Sequence, residues 1–354
     1  MIFAKIWERM IFFRALRFIL FFLVSIYFVY VIIDLSAHSG RLFSSATSIP
    51  SILLYYVHNL LAHFDLFLPL SMLLTTISLL TSMNLHREIV ALRMGGISLK
   101  KLSRPLFLIS FLLTICCYAN YEYTSPFSLS FIENFKEKNL HHRGKESVDM
   151  QIASLVDGSK VIFHTFDPQK KELFDLFWIR SHSDLWHIKS LSLQTQEGKF
   201  ADHLVRRKND NKFEKKESYD RHIFSEIPLS SLTNGNFFIP KEELPLSSLL
   251  GQKIFLTKAE RAATFSHLSY KLVLPLLSPL ILLSLVPFCV GFNRNLRIFF
   301  VTALALFSFF TFITMMDSCV ILGENQVVSP FFALTLPLLF FYLFFGWRFL
   351  TTNK

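Results

Sequence analysis

The chain has 354 residues, of which 52% are hydrophobic and 18% charged; its mean hydropathy is +0.43 and its formal charge is +10. Soluble domains carry about 25% charged residues, so a soluble globular protein is excluded, along with disordered, collagen-like and coiled-coil chains. The four cysteines, Cys116, Cys117, Cys289 and Cys319, all lie in or beside apolar runs, which excludes a disulfide-stapled scaffold.

A helix crosses the roughly 30 Å hydrocarbon core with about 20 apolar residues. Six runs meet or approach this: 11–33, 66–83, 105–121, 268–290, 298–319 and 328–349. The first is too long for a cleavable signal peptide and lacks a small-residue cleavage site after it. Residues 1–125 are therefore assigned to spans one to three, 126–257 to a domain outside the bilayer, and 258–354 to spans four to six. The middle segment is nearly neutral, with 19 Lys+Arg against 18 Asp+Glu. Its short runs (KVIFHTF at 160–166, LFDLFWIR at 173–180, LWHIKSLSLQT at 185–195, KFADHLVRR at 199–207) alternate with period two and are broken by Asp-Gly, Asp-Pro and Asn-Gly. That pattern predicts antiparallel β-structure.

Basic residues set the orientation. Lys5, Arg9, Arg14 and Arg17 precede or open span one. Arg87, Arg93, Lys100, Lys101 and Arg104 follow span two, Arg294 and Arg297 follow span four, and Arg348 and Lys354 close the chain. The opposite short loops hold Arg41 and little else. Both termini are expected in the cytoplasm and the β domain outside. The basic excess then marks a membrane surface and excludes nucleic acid. A domain outside the cytoplasm with no cysteine fits a periplasmic fold held by its core alone.

Catalytic motifs are missing from the sequence. It has no Gly-x-x-x-x-Gly-Lys-[Ser/Thr], so it does not hydrolyse ATP through a P-loop; it also lacks His-Glu-x-x-His, Gly-x-Ser-x-Gly and Cys-x-x-Cys. His141–His142 sits in a polar stretch with no third ligand and reads as a solvated loop; no metal or cofactor site is expected.

The most informative segment is MNLHREIVALRMGGISLKKLSRP at 83–105. Leu85, Ile89 and Leu92 share one face of an amphipathic helix over about 84–96, ended by Gly95–Gly96. A helix that merely lies on lipid would look similar. Glu88, however, is the sole acid between Asp65 and Glu122, which suits a basic pocket on a protein better than anionic lipid. A coupling helix docked into a groove on a cytoplasmic partner is the sharper reading.

Six spans, a β domain between the third and fourth, and the string Arg87-Glu88-Ile-Val-Ala-Leu-Arg-Met-Gly-Gly96 resemble the LptF/LptG family of lipopolysaccharide export permeases. Glu88 and Gly96 fall on that family's Glu and final Gly. Phe67-Leu68-Pro69-Leu70 resembles the opening of its second span. Tyr270-Lys271-Leu-Val-Leu-Pro275-Leu resembles the entry of its fourth, and Pro287 the proline near that span's inner end. Asp34, Lys271 with Pro275, and Asp317 look LptG-like rather than LptF-like.

The resemblance implies six helices plus a periplasmic β-jellyroll, in the bacterial inner membrane. It implies a heterodimer with an LptF-like permease, two copies of an LptB-like ATPase, an LptC-like jellyroll neighbour and lipopolysaccharide as cargo. Spans one and five then line the lipid path, and Arg87, Glu88, Ile89, Leu92 and Gly96 make the ATPase coupling segment. Relatives of the LptG branch often carry a Lys before the Asp that ends span one; here Val31, Ile32 and Ile33 precede Asp34, leaving His38 and Arg41 as the nearest phosphate contacts. A lipoprotein-release type of permease is the rival, and its four spans distinguish it. A sensor or enzyme would need cytoplasmic catalytic sequence that the short loops lack.

Charges within spans are functional candidates. Lys271 and Asp317 lie at matching depths near the outer ends of spans four and five and are expected to face each other or share a polar cavity. Asp34 and Asp65 read as plain interfacial residues. The 41 phenylalanines are mostly apolar surface, with those on spans one and five available to line an acyl groove.

Overall fold

The computed structural model describes residues 5–42, 48–139, 151–154, 159–167, 172–181, 184–193, 195–206, 213–224, 244–251, 258–290 and 298–351. The chain divides into two units, one holding 1–141, 245–247 and 265–354, the other 142–244 and 248–264.

The first unit is helical. Helix α1 covers Ile6–Leu42, α2 Ile49–Ala62, α3 Phe64–Leu85, α4 Glu88–Met94, α5 Leu99–Ala119 and α6 Ser125–Asn139. After the sheet come α7 (Leu246–Gly251), α8 (Lys258–Val273), α9 (Leu277–Cys289), α10 (Ile298–Glu324) and α11 (Pro330–Thr351), of which residues 248–251 of α7 and 258–264 of α8 fall in the second unit. Among the described residues, six helical stretches are long and apolar enough to cross a membrane: Ile6–Ser39, Phe64–Leu85, Leu99–Lys136, Arg261–Cys289, Ile298–Glu324 and Pro330–Thr351. Spans two and four are largely buried, span three half-buried, and spans one, five and six mostly exposed. The buried apolar residues of span one, Ile11, Ala15 and Ile19, lie near its N-terminal end at helical spacing, and Leu23 and Ile26 pack partly buried against the same core beyond them.

Span four has a broken backbone. Pro275 and Pro279 lack the N–H that would bond the carbonyls four residues earlier, and a 3₁₀ turn, Leu274–Leu276, joins α8 to α9. Of the two freed carbonyls, those of Lys271 and Pro275, the second takes a donor from a neighbouring span, and two more side chains donate to carbonyls beside the break. Thr114 Oγ1 donates to the Pro275 carbonyl at 3.1 Å, Tyr118 to that of Leu272 at 2.6 Å, and Tyr342 to that of Leu276. Hydrocarbon supplies no substitute donors, so these side chains make the break tolerable.

Two helices escape the span pattern. Helix α2, opened by Pro50 in its first turn, is too short to cross; it buries Ile52, Tyr55, Tyr56, Asn59 and Ala62 at helical spacing. Span three does not stop near residue 121. A π turn at Asn120–Thr124 leads directly into α6, whose Ile132 and Phe135 pack with α2. Pro126, expected to open the β domain, therefore lies inside a continuous helical run. The π turn widens the ladder just before the proline ring needs room, so the helix runs through it.

The second unit holds one antiparallel sheet. Its strands are β1 (Gln151–Ser154), β2 (Lys160–Phe163), β3 (Thr165–Asp167), β4 (Glu172–Ser181), β5 (Asp184–Ser192), β6 (Glu197–Arg206) and β7 (Phe213–Ile223). The order is β1-β2-β4-β5-β6-β7, with β3 continuing β2 along the far half of β4. Ladder pairs are missing at one level on every interface from β4 to β7, where Asp175, Lys189, Phe200 and Asp220 line up by register. Asp175 and Phe200 are left-handed there, with φ of 51° and 52°. The result is a transverse crease. Buried residues are spaced three apart across it, Leu173 and Leu176 on β4, Ile188 and Leu191 on β5, Gly198 and Ala201 on β6, so one core face continues around the bend. Phe224 folds back onto this face over Gly198, where a Cβ would lie 2.6 Å from the Phe224 ring.

Candidate functional site

Among the described residues of the helical unit, polar side chains gather most clearly in three places. The first is where the N-terminal part of span one meets the C-terminal end of span two. Span two ends at Leu85, and the chain turns through His86 and Arg87, the latter left-handed at φ 57°. The seven-residue α4 follows and stops at Gly95; Gly96 adopts φ 77°. The face read from Leu85, Ile89 and Leu92 is therefore divided between two helices, because the turn at 86–87 breaks the helical register. Ile89 is 1% exposed and joins the chain's own core, with Leu92 packed against the same cluster. The apolar residues left outside are Leu85 and Met94, 70% and 86% exposed.

Glu88 also has a partner within the chain. Arg14 Nη1 lies 3.1 Å from both Glu88 oxygens, and Nη2 donates to Ser82 Oγ at 2.9 Å. One guanidinium thus joins span one, the last turn of span two and α4. Sequence reading passed over Arg14 as one of the basic residues before span one. The signal was present: an arginine in the first apolar run, and one acid in the loop that follows span two.

The second place is the C-terminal half of span one. Asp34 accepts from the Tyr56 hydroxyl at 3.1 Å and faces His38 Nδ1 at 3.3 Å. Tyr27 donates to the Tyr56 carbonyl, and Asn59 Nδ2 donates to the Tyr30 hydroxyl at 2.9 Å. These bonds fasten α2 onto span one. Between the two helices runs an apolar groove of about 310 Å³, walled by Leu23, Val24, Tyr27, Phe28 and Val31 and by Leu53, Tyr56, Val57 and Leu60. His38, expected as a phosphate contact, shares its ring nitrogen with a carboxylate; the side chain of Arg41 lies outside the described residues, as does the pair His141–His142.

The third place is inside the bundle. Asp65, read as merely interfacial, accepts from the Tyr121 hydroxyl at 2.7 Å. The π turn brings Tyr121 there, and Asn120 Nδ2 caps the Leu61 carbonyl at 2.9 Å. Lys271, 5% exposed, places its ammonium 5.5 Å from the centre of the Tyr121 ring, a cation–π distance. Asp317 accepts from the Tyr270 hydroxyl at 3.0 Å. Consecutive helical residues point about 100° apart. Span four thus directs Tyr270 toward span five and Lys271 toward span three. Farther out, His267 Nε2 meets Glu324 at 2.7 Å, and Gly323 packs against Ser266 with no room for a Cβ.

None of these clusters assembles a nucleophile with a base, and no group of three or more His, Cys, Asp or Glu able to hold a metal occurs among the described residues. What they do is hold apolar helices at fixed orientations. Compared with known families, the sequence matches the one described as lipopolysaccharide export system permease LptF/LptG over residues 9–351. No curated protein matches the chain.

Proposed function

The chain belongs to the LptF/LptG family of lipopolysaccharide export system permeases, and from that premise we propose that it is the LptG-like half of a permease pair driven by a separate ATPase. The coarse identity is that of a multi-pass inner-membrane permease subunit, a transporter component rather than an enzyme. The finer reading has both termini in the cytoplasm, an LptF-like partner, an LptB-like ATPase dimer below, and an LptC-like neighbour outside. The creased sheet, read as the jellyroll of the family, receives the lipid in the periplasm. Asp34, Lys271 with Pro275, and Asp317 support the LptG branch.

The physical need is clear. Moving several acyl chains from bilayer to water at about 25 cal/mol per Å² costs tens of kcal/mol, so the permease must offer an apolar path and then close it. The mostly exposed spans one and five, with Phe21 and Phe28 on one and Phe299 and Phe307 on the other, suit such a path, and the groove beside α2 extends it. Work has to enter from a partner. The observation that carries this part is α4: a seven-residue helix pinned by Ile89, with Arg87, Leu85 and Met94 facing outward.

Co-purification in mild detergent with mass spectrometry of proteins and lipid is the test. A homologous permease, a nucleotide-hydrolysing subunit and lipopolysaccharide are the expected companions. Arg87→Glu combined with Met94→Asp should release the ATPase and leave the permease pair intact. Full retention of the ATPase by that variant would overturn the coupling role of α4.

A further inference from the structure

We propose that Arg14 is a positioning residue of transport, the joint through which displacement of α4 is carried into span one. The inference rests on the reading of α4 as the ATPase contact and adds the path by which the stroke reaches the lipid-facing helix.

The geometry is that of a joint more than of a stabilising bond. The Arg14 and Glu88 side chains are 31% and 32% exposed, and pairs so open to water contribute little to stability. Their value lies in direction. A guanidinium offers donors in a fixed plane; here one nitrogen takes both Glu88 oxygens and the other takes Ser82 Oγ. A lysine has no such second arm. Helix α4 cannot stand alone, because seven residues are far below the length at which a helix is stable in water. It holds its place through Ile89 and through this bond, between two left-handed residues, Arg87 and Gly96, that let it swing as a unit.

Span one is built to respond. Its 37 residues extend about 55 Å at roughly 1.5 Å each. Its buried contacts to the main core, Ile11, Ala15 and Ile19, all lie within two turns of Arg14. Beyond Ile19 no described side chain of the helix is fully buried; Leu23 and Ile26 rest partly buried against the core, Tyr27 and Tyr30 meet the Phe67 ring of span two, and Tyr27, Tyr30 and Asp34 tie the helix to α2. A push applied at Arg14 therefore acts beside the pivot of a long arm, and small tilts there become larger movements along the apolar groove.

The test uses the complete transporter, permease pair plus ATPase, in proteoliposomes loaded with lipopolysaccharide, reading lipid released per ATP hydrolysed. Coupling between sites commonly amounts to about five- to 150-fold. Arg14→Glu should lower the yield per ATP at least about tenfold while hydrolysis stays within about twofold, and Glu88→Arg should lower the yield per ATP by a similar factor. The double exchange, Arg14→Glu with Glu88→Arg, should restore it to within about threefold, since the pair acts as a unit. Arg14→Gln, neutral and milder, should lose about fivefold and serves if the charge reversal does not fold. Unchanged yield in Arg14→Gln, or double-exchange protein that folds yet stays as defective as the worse single variant, overturns the proposal. Loss of the ATPase from the Arg14 variants would also overturn it, since the residue would then act on assembly. Retention of the ATPase by Arg87→Glu with Met94→Asp is a separate failure, that of the α4 reading itself.

Discussion

Removing the Ile89 side chain tests whether α4 is held by packing. Ile89 is 1% exposed, the one fully buried residue of a seven-residue helix. Truncating a buried Ile to Ala in a core typically costs about 2–5 kcal/mol. Here the loss is confined, because α4 can detach without disturbing the spans. Taking about 2–3 kcal/mol, and one factor of ten for each 1.4 kcal/mol, Ile89→Ala should raise local opening by roughly 30- to 140-fold. Hydrogen exchange read by mass spectrometry on peptides covering 88–97 reports this directly. Those amides should exchange faster by about that factor, and peptides from span four should not change. Met94→Ala, made at a residue 86% exposed, should alter the same amides by less than about twofold, as surface substitutions do. If Ile89→Ala left protection of 88–97 unchanged, the helix would be held by something other than its buried side chain, and the description of α4 as a docked, swinging element would be wrong.

Two further outcomes concern the sheet. Gly198→Val should destabilise it by about 1–3 kcal/mol, the usual range for overpacking, because its Cβ would meet the Phe224 ring at 2.6 Å and Ile188 Cγ2 at 3.0 Å; thermal unfolding followed by tryptophan fluorescence checks this, and adding Phe224→Ala should recover most of the loss. Acid should weaken the β6–β7 ladder: the Lys215 ammonium, 2.6 Å away, and then the Ser218 hydroxyl hold the Asp202 carboxyl below its ordinary value. A carboxyl lowered by folding contributes stability above the unfolded value of about 3.9 and loses it as pH falls through the lowered folded value. The melting temperature should therefore drop across that window, and Lys215→Met should show a smaller drop; equal drops in the two proteins would remove Asp202 from the account.

The six spans were legible because each is a long apolar run, and the strands because alternation of period two marks them. What escaped sequence reading had a local reason in each case. Helix α2 carries a full helical stripe from Ile52 to Ala62, yet it is too short for a span, so a search for spans passes over it. The continuation of span three through Pro126 depends on a π turn, which leaves no signature in composition. On the sheet, alternation fails at Asp175 and Phe200, where the crease changes the spacing of buried residues from two to three. Glu88 stood out as the lone acid of a basic loop, and its partner could have been named from Arg14 inside the first apolar run. The tyrosines were the hardest to read. Tyr118, Tyr121, Tyr270 and Tyr342 look like interfacial aromatics, but each spends its hydroxyl on a carbonyl or carboxylate of another helix.

Those tyrosines also divide the helical unit into parts that resist movement and parts that permit it. Span four cannot shift relative to spans three and six without exposing the carbonyls of Leu272, Pro275 and Leu276 to hydrocarbon. Each orphaned carbonyl there would cost about as much as a lost buried hydrogen bond, of order 1–3 kcal/mol, and the three would be lost together. Asp65 and Tyr121 add the same restraint between spans two and three. Spans one and five have no comparable backbone repair. On span five the hydroxyls of Thr311, Thr314 and Ser318 return to carbonyls of their own helix, and its polar ties to span four, Tyr270 with Asp317 and His267 with Glu324, gather toward its C-terminal end. Span one is held by three buried residues near its N-terminal end, by Arg14 and by the polar ties to α2. A machine that must open and close an apolar path would place its rigid frame in spans two to four and its moving walls in one and five, and the hydrogen bonds to backbone carbonyls between spans follow that division among the described residues.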